Sequence, residues 1–79
     1  MGTVGKQRIG MSDLGLRVSK SIRAGMGIRR MSGRALGLQI NRSSSYVRAR
    51  INDEKEWAVS DIERICHAWD ITPDQLLNQ

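Results

Sequence analysis

The strongest constraint in this chain is its helix punctuation. Ser60-Asp61-Ile62-Glu63 and Thr72-Pro73-Asp74-Gln75 both have the spacing of a capping box, in which a Ser or Thr hydroxyl and a Glu or Gln three residues later satisfy each other's backbone amides. Pro73 adds the residue best suited to a first helical position. Ser12, Ser32 and Ser43 stand before three further stretches and are read as N-caps as well. Five short helices result. The first starts at Ser12 with Asp13 in its opening turn and Leu14, Val18 and Ile22 at four-residue steps; Gly15, Gly25 and Gly27 weaken it and leave its ends open. The second carries Arg34, Ala35, Leu36 and Leu38 and stops near Ile40-Asn41, Asn being well suited after Gly to a left-handed turn. The third runs from Tyr46 to Asn52, and residues 53–59 form a loop. Ile62, Ile65, Cys66 and Trp69 fall on one stripe of the fourth helix, and Leu76 and Leu77 anchor the fifth. Residues 1–11, with three Gly and no helical repeat, read as a loose arm or leader, and 12–79 as one domain.

Composition agrees with an all-α bundle of this kind. The 79 residues allow one small domain, and an aromatic content of 4% argues against a sheet-rich fold. A lone Cys66 cannot close an internal disulfide, and with a lone His67 it cannot build a zinc site, so no metal and no cofactor are expected. Cys66 lies on the apolar stripe and His67 on the solvent side. Nothing supplies an oxyanion hole, and no catalytic residue is assigned: the chain is expected not to be an enzyme. Trp57 and Trp69 are read as core residues. No apolar run is long enough for a transmembrane helix or a signal-peptide core, which points to a small soluble intracellular domain.

Charge is segregated along the chain. Residues 1–50 hold eleven Lys or Arg and a single acid, Asp13, a local net of +10; residues 51–79 hold two basic and seven acidic side chains, a local net of −5. Such a division suits one surface that meets a polyanion and a remainder that keeps the chain soluble.

The second and third helices supply the details. Gly37 offers a small residue where two helices cross closely, Leu36, Ile40, Val47 and Ile51 offer apolar contacts across the crossing, and Asn41 marks the turn. The stretch Met31 to Asn52 (MSGRALGLQINRSSSYVRARIN) resembles the helix-turn-helix of Cro and phage-repressor (XRE-like, lambda-repressor-like) DNA-binding domains, and the ending DIERICHAWDITPDQLL is similar to the last two helices of that family. The chain departs from the family pattern at Gly33, where a Gln is common, at Asn41 in place of the turn Gly, and at Arg50 in place of an apolar residue. The resemblance implies a cytoplasmic transcriptional regulator of phage, prophage or bacterial type, a repressor or Cro-like protein, that binds double-stranded operator DNA, with a homodimer on a two-fold site as an option.

With Val47 and Ile51 facing inward, Ser45, Arg48, Ala49 and Asn52 share the outer side of the third helix. Arg48 has the geometry for two parallel hydrogen bonds to guanine, Ala49 suits a thymine methyl, and Ser44 and Ser45 sit at the helix N-terminus, where the family places base or phosphate contacts. Arg34, Arg42, Ser43 and Tyr46 are the candidates for backbone phosphate, with Arg17, Lys20, Arg23, Arg29 and Arg30 as weaker ones. Tyr46 and Arg50, four apart, can instead stack on each other. Two other readings stay open: an antitoxin-type protein-binding module built on the same helices, and a basic amphipathic segment at a membrane surface.

Overall fold

The computed structural model describes residues 11–78, which form five α-helices: α1 (Asp13–Arg29), α2 (Gly33–Ile40), α3 (Ser44–Ile51), α4 (Val59–Trp69) and α5 (Pro73–Leu77). No strand occurs among the described residues, so the all-α expectation holds. Residues 1–10 of the expected arm lie outside them, while Met11, assigned to that arm, is buried.

Four of the expected caps are in place. The hydroxyls of Ser12, Ser32, Ser43 and Thr72 accept from the amides of Gly15, Ala35, Tyr46 and Gln75 at 2.9–3.1 Å, and Gln75 returns the bond to the Thr72 amide. The fifth differs. Helix α4 begins earlier than Ser60: its N-cap is Ala58, and Asp61, three residues on, accepts from the Ala58 amide at 3.1 Å. Ser60 and Glu63 are exposed and make no box. The start is set by Asp61, whose carboxylate has further partners inside the molecule that neither Ser60 nor Glu63 could reach.

Three connections repeat one device. Arg30-Met31-Ser32, Asn41-Arg42-Ser43 and Asp70-Ile71-Thr72 each consist of a left-handed residue, a second residue, and the N-cap of the next helix. In each the second residue donates its amide to a carbonyl five residues back, Met26, Gly37 or Cys66, at 2.8–2.9 Å. That bond closes the helix by satisfying a carbonyl left over in its last turn. Met31 and Ile71 then pack against the core. Arg42 does not.

The core gathers Val18, Ile22 and Met26 from α1, Leu36 and Ile40 from α2, Val47 from α3, Trp57 from the loop, Ile65, Cys66 and Trp69 from α4, and Leu76 from α5. Helix α2 packs on α3 and α4, α1 on α3 and α5, and α4 on α5. Leu14 breaks the expected series: it is 62% exposed, and at the start of α1 it is Gly15 that turns inward, against Glu56. Both tryptophans are core residues, and Trp69 donates Nε1–H to Gln39 at 3.2 Å.

Gly37 sits where space is shortest. A Cβ there would lie 2.6 Å from the Arg42 carbonyl oxygen and 3.5 Å from Val47 Cγ2, so the close approach is to the link backbone more than to α3 itself. Gly27 is the opposite case, with nothing within 4 Å of its added Cβ. Gly27→Ala is therefore expected to stabilise by up to about 1 kcal/mol, the helix-propensity difference. Gly37→Ala is expected to destabilise by about 1–3 kcal/mol through overpacking, despite the same propensity gain. Thermal unfolding followed by circular dichroism should show the two midpoints moving in opposite directions from wild type.

Candidate nucleic-acid interface

Residues 33–52, which make up α2, its link and α3, contain no Asp or Glu and four arginines. Helix α3 buries only Val47, with Ile51 partly covered beside it. Its other side is open: Ser44, Ser45, Arg48 and Asn52 are exposed, and Ala49 is half-buried among them. A shallow groove lined by Gly33, Arg34, Ser44, Arg48 and Ile51 separates this face from the first turn of α2. Arg34 and Arg48 stand on it with no ion pair or hydrogen bond among the described residues. Four of the five residues expected to read bases thus stand on α3 and the fifth, Asn52, is its C-cap, and Arg34 lies across the groove from them.

The other expected phosphate residues are more engaged. Ser43 caps α3 and its Oγ lies 3.3 Å from that of Ser45. Arg42 gives its Nε–H to Asp61 Oδ1 at 2.9 Å, and Tyr46 gives its hydroxyl hydrogen to Asp61 Oδ2 at 2.6 Å. Tyr46 thus points its one donor into the protein rather than to a ligand. The expected stacking of Arg50 on Tyr46 is present, the guanidinium 3.4 Å from the ring centroid, and Arg42 lies 4.5 Å from the same ring. This is how an arginine is accommodated at Arg50: its charge rests on an aromatic face and it donates to the Tyr46 carbonyl at 3.1 Å.

Among the weaker candidates, Arg23 has a different task. Its Nη1 donates to the Ile51 carbonyl at 2.8 Å and pairs with Asp53 at 3.1 Å, which places a cation at the C-terminal end of α3 where the helix dipole favours one. Buried Ser19 donates to the neighbouring Arg50 carbonyl at 2.9 Å. Arg29 stacks on Trp69 at 4.2 Å, while Arg17, Lys20 and Arg30 are exposed.

Asp61, which the sequence pattern places only inside a capping box, belongs to this region as well. It is 0% exposed and receives three bonds, from Ala58, Tyr46 and Arg42. Burial pushes its carboxyl up, but the bonds from Tyr46, Arg42 and the Ala58 amide outweigh this and hold it below the ordinary value of 3.8. The bond to Asp61 raises the Arg42 guanidinium, and burial raises the Tyr46 phenol. A clue was available: Asp61 precedes Ile65 by four residues, which sets it on the flank of the apolar stripe rather than opposite it.

Elsewhere the site chemistry is sparse. Cys66 is buried, its thiol pushed up by that burial, and His67 is exposed. Among the described residues no three His, Cys, Asp or Glu side chains gather as a metal site would need, and no helix is long and apolar enough to cross a membrane. No protein-family model and no curated protein sequence matches the chain at a significant level.

The depressed Asp61 value has a pH consequence. Because its folded value lies below its unfolded one, the ionised carboxylate contributes stability above about pH 4, and that contribution is lost as pH falls through the folded value. Asp61→Asn should be less stable than wild type at pH 7, and the gap should shrink steadily below pH 4. Parallel acid titrations of denaturant midpoints check it; a gap that stays constant with pH would show that the charge of Asp61 carries no stability.

Proposed function

We propose that this protein binds double-stranded DNA in a sequence-specific way, as a transcriptional regulator of the repressor or Cro-like kind, acting in the cytoplasm of a bacterium or phage-infected cell without catalysis. The observation that carries this reading is the exposed, acid-free face of α3, on which Arg48 stands without an intramolecular partner among the described residues, flanked by Ser44, Ser45 and Asn52. A groove in duplex DNA admits such a helix, and short polar side chains around one long arginine can enter it without obstruction. Arg48 then reads a guanine edge by two parallel hydrogen bonds, Ser44, Ser45 and Asn52 contact neighbouring edges, and Ala49 meets a thymine methyl. Arg34 and Arg42 contact phosphates on either side, with Ser43 and the first amides of α3 helping at the helix N-terminus. The links and caps described above support the same reading, since they hold α2 and α3 in a fixed relation. A two-fold site would engage two copies.

Selection of bound duplexes from a random pool gives the operator for the following titrations. Neutralising about four to six phosphates per monomer should give a log–log salt slope of about −4 to −5. Arg48→Ala should leave the melting temperature unchanged, weaken the selected site by about 1–3 kcal/mol and relax preference at one base pair. Arg34→Ala should weaken selected and random duplexes alike and make the slope shallower by about one. Equal loss on both duplexes for Arg48→Ala would make that residue a phosphate anchor, and a salt-independent wild type with intact helicity would remove the DNA reading altogether.

A further inference from the structure

The three matching links differ at one point. Their second residue is apolar and packed against the core at Met31 and Ile71, but at the link between α2 and α3 it is Arg42. An apolar residue would serve the helix ending there as well as it does in the other two. What takes its place is a cation bonded to a carboxylate with no solvent exposure of its own. Capping α4 does not by itself require that charge, because a neutral oxygen at the same place can also accept, though more weakly, from the Ala58 amide and the Tyr46 hydroxyl. Burying a charge is costly unless it is matched, and Arg42 is the cation that matches it.

The geometry of the pair suggests what the charge is for. Asp61 takes the Nε–H of Arg42, one of five donors that a guanidinium spreads over its rigid fork. The terminal NH2 groups make no hydrogen bond among the described residues, and 31% of the side chain is exposed. The guanidinium also lies over the Tyr46 ring, and Tyr46 is itself held by Asp61, so the side chain is gripped twice. It stands one residue before the Ser43 cap of α3, beside the helix end that favours anions.

We infer that Asp61 is a positioning residue for the DNA interface: from inside the protein it holds Arg42 by its Nε edge, so that the terminal edge of the same guanidinium is set in advance for one backbone phosphate next to the N-terminus of α3. This rests on the DNA-binding reading given above. A flexible surface arginine must lose its rotamer freedom when it meets a phosphate, and Arg42 has lost it already.

The sign of one measurement separates positioning from a purely structural ion pair. Asp61→Asn removes a negative charge, so simple electrostatics makes the full chain bind DNA equally well or more tightly. Loss of positioning does the reverse: affinity for selected and random duplex should fall several-fold although the protein has become more basic. Arg42→Ala should cost about tenfold and reduce the salt slope by about one, and the double variant should bind no more weakly than Arg42→Ala alone. Arg42→Lys keeps the charge but has no second edge, and should also bind several-fold more weakly. A helical Asp61→Asn that binds as tightly as wild type, or losses that add in the double variant, would overturn the inference. If Asp61→Asn does not fold, Arg42→Lys decides, and wild-type affinity there overturns it. Wild-type protein without salt-dependent DNA binding defeats the underlying reading instead, a result that none of the variants can mimic.

Discussion

Helix α3 buries one side chain fully, Val47, and a helix held by so little apolar surface must be fixed by other means. The structure fixes it at both ends with polar bonds that reach across the fold. At the N-terminal end, Asp61 of α4 takes Tyr46 and Arg42; at the C-terminal end, Arg23 and Ser19 of α1 hold the carbonyls of Ile51 and Arg50. Each bond contributes modestly beyond the water contacts it replaces, but a buried group left without its partner costs more than the bond provides. The orientation of α3 is therefore set by the penalty for moving away from it. Because so little of the helix is needed for packing, nearly a whole side of it stays exposed.

The same arrangement explains the uneven distribution of charge. Acidic side chains in the C-terminal half are placed where basic ones from the first half need holding: Asp61 under Arg42, and Asp53 beside Arg23. Neither acid belongs to α2, its link or α3, and that surface keeps its positive sign. The segregation seen along the chain is thus partly a set of internal pairings, while Arg34 and Arg48 remain outside them.

Much of this was legible in the residues because local rules agreed with the tertiary structure. Ser12, Ser32, Ser43 and Thr72 cap as their type and spacing suggest, Asn41 takes the left-handed turn, and the stripe on α4 faces the core. Misreadings occurred where distant partners decided. Ser60 is as good a cap by type as Ser43, yet α4 starts two residues before a position that would cap on Ser60, since Tyr46 and Arg42 draw Asp61 inward. Leu14 has the right spacing but stands at the exposed rim of a pocket that it shares with Trp57, Val59 and Ile62. Arg30 is left-handed without the residue type that announces such a turn, whereas Asp70 is of a type that visits that region. Of the expected site, the outer face of α3 followed from angle alone; that Tyr46 turns inward depended on an acid fifteen residues away.

The three short links also determine where this chain could change length. In each, the residue that ends one helix is separated from the cap that opens the next by a single position, and that position supplies the amide closing the first helix. An added residue would have to displace either the closing bond or the cap, and with it the angle between two helices. The connection between α3 and α4 ends its helix by the same kind of bond, the Glu54 amide donating to the Ala49 carbonyl at 2.9 Å after left-handed Asp53. Its next cap lies farther on, at Ala58; Glu56 accepts from the Ser12 amide at 2.7 Å, and between these anchors Lys55 is exposed. Divergence in loop length, or the joining of a foreign segment, is compatible with the bundle there, on the part of the chain that follows the free face of α3 and precedes the acid that orients it.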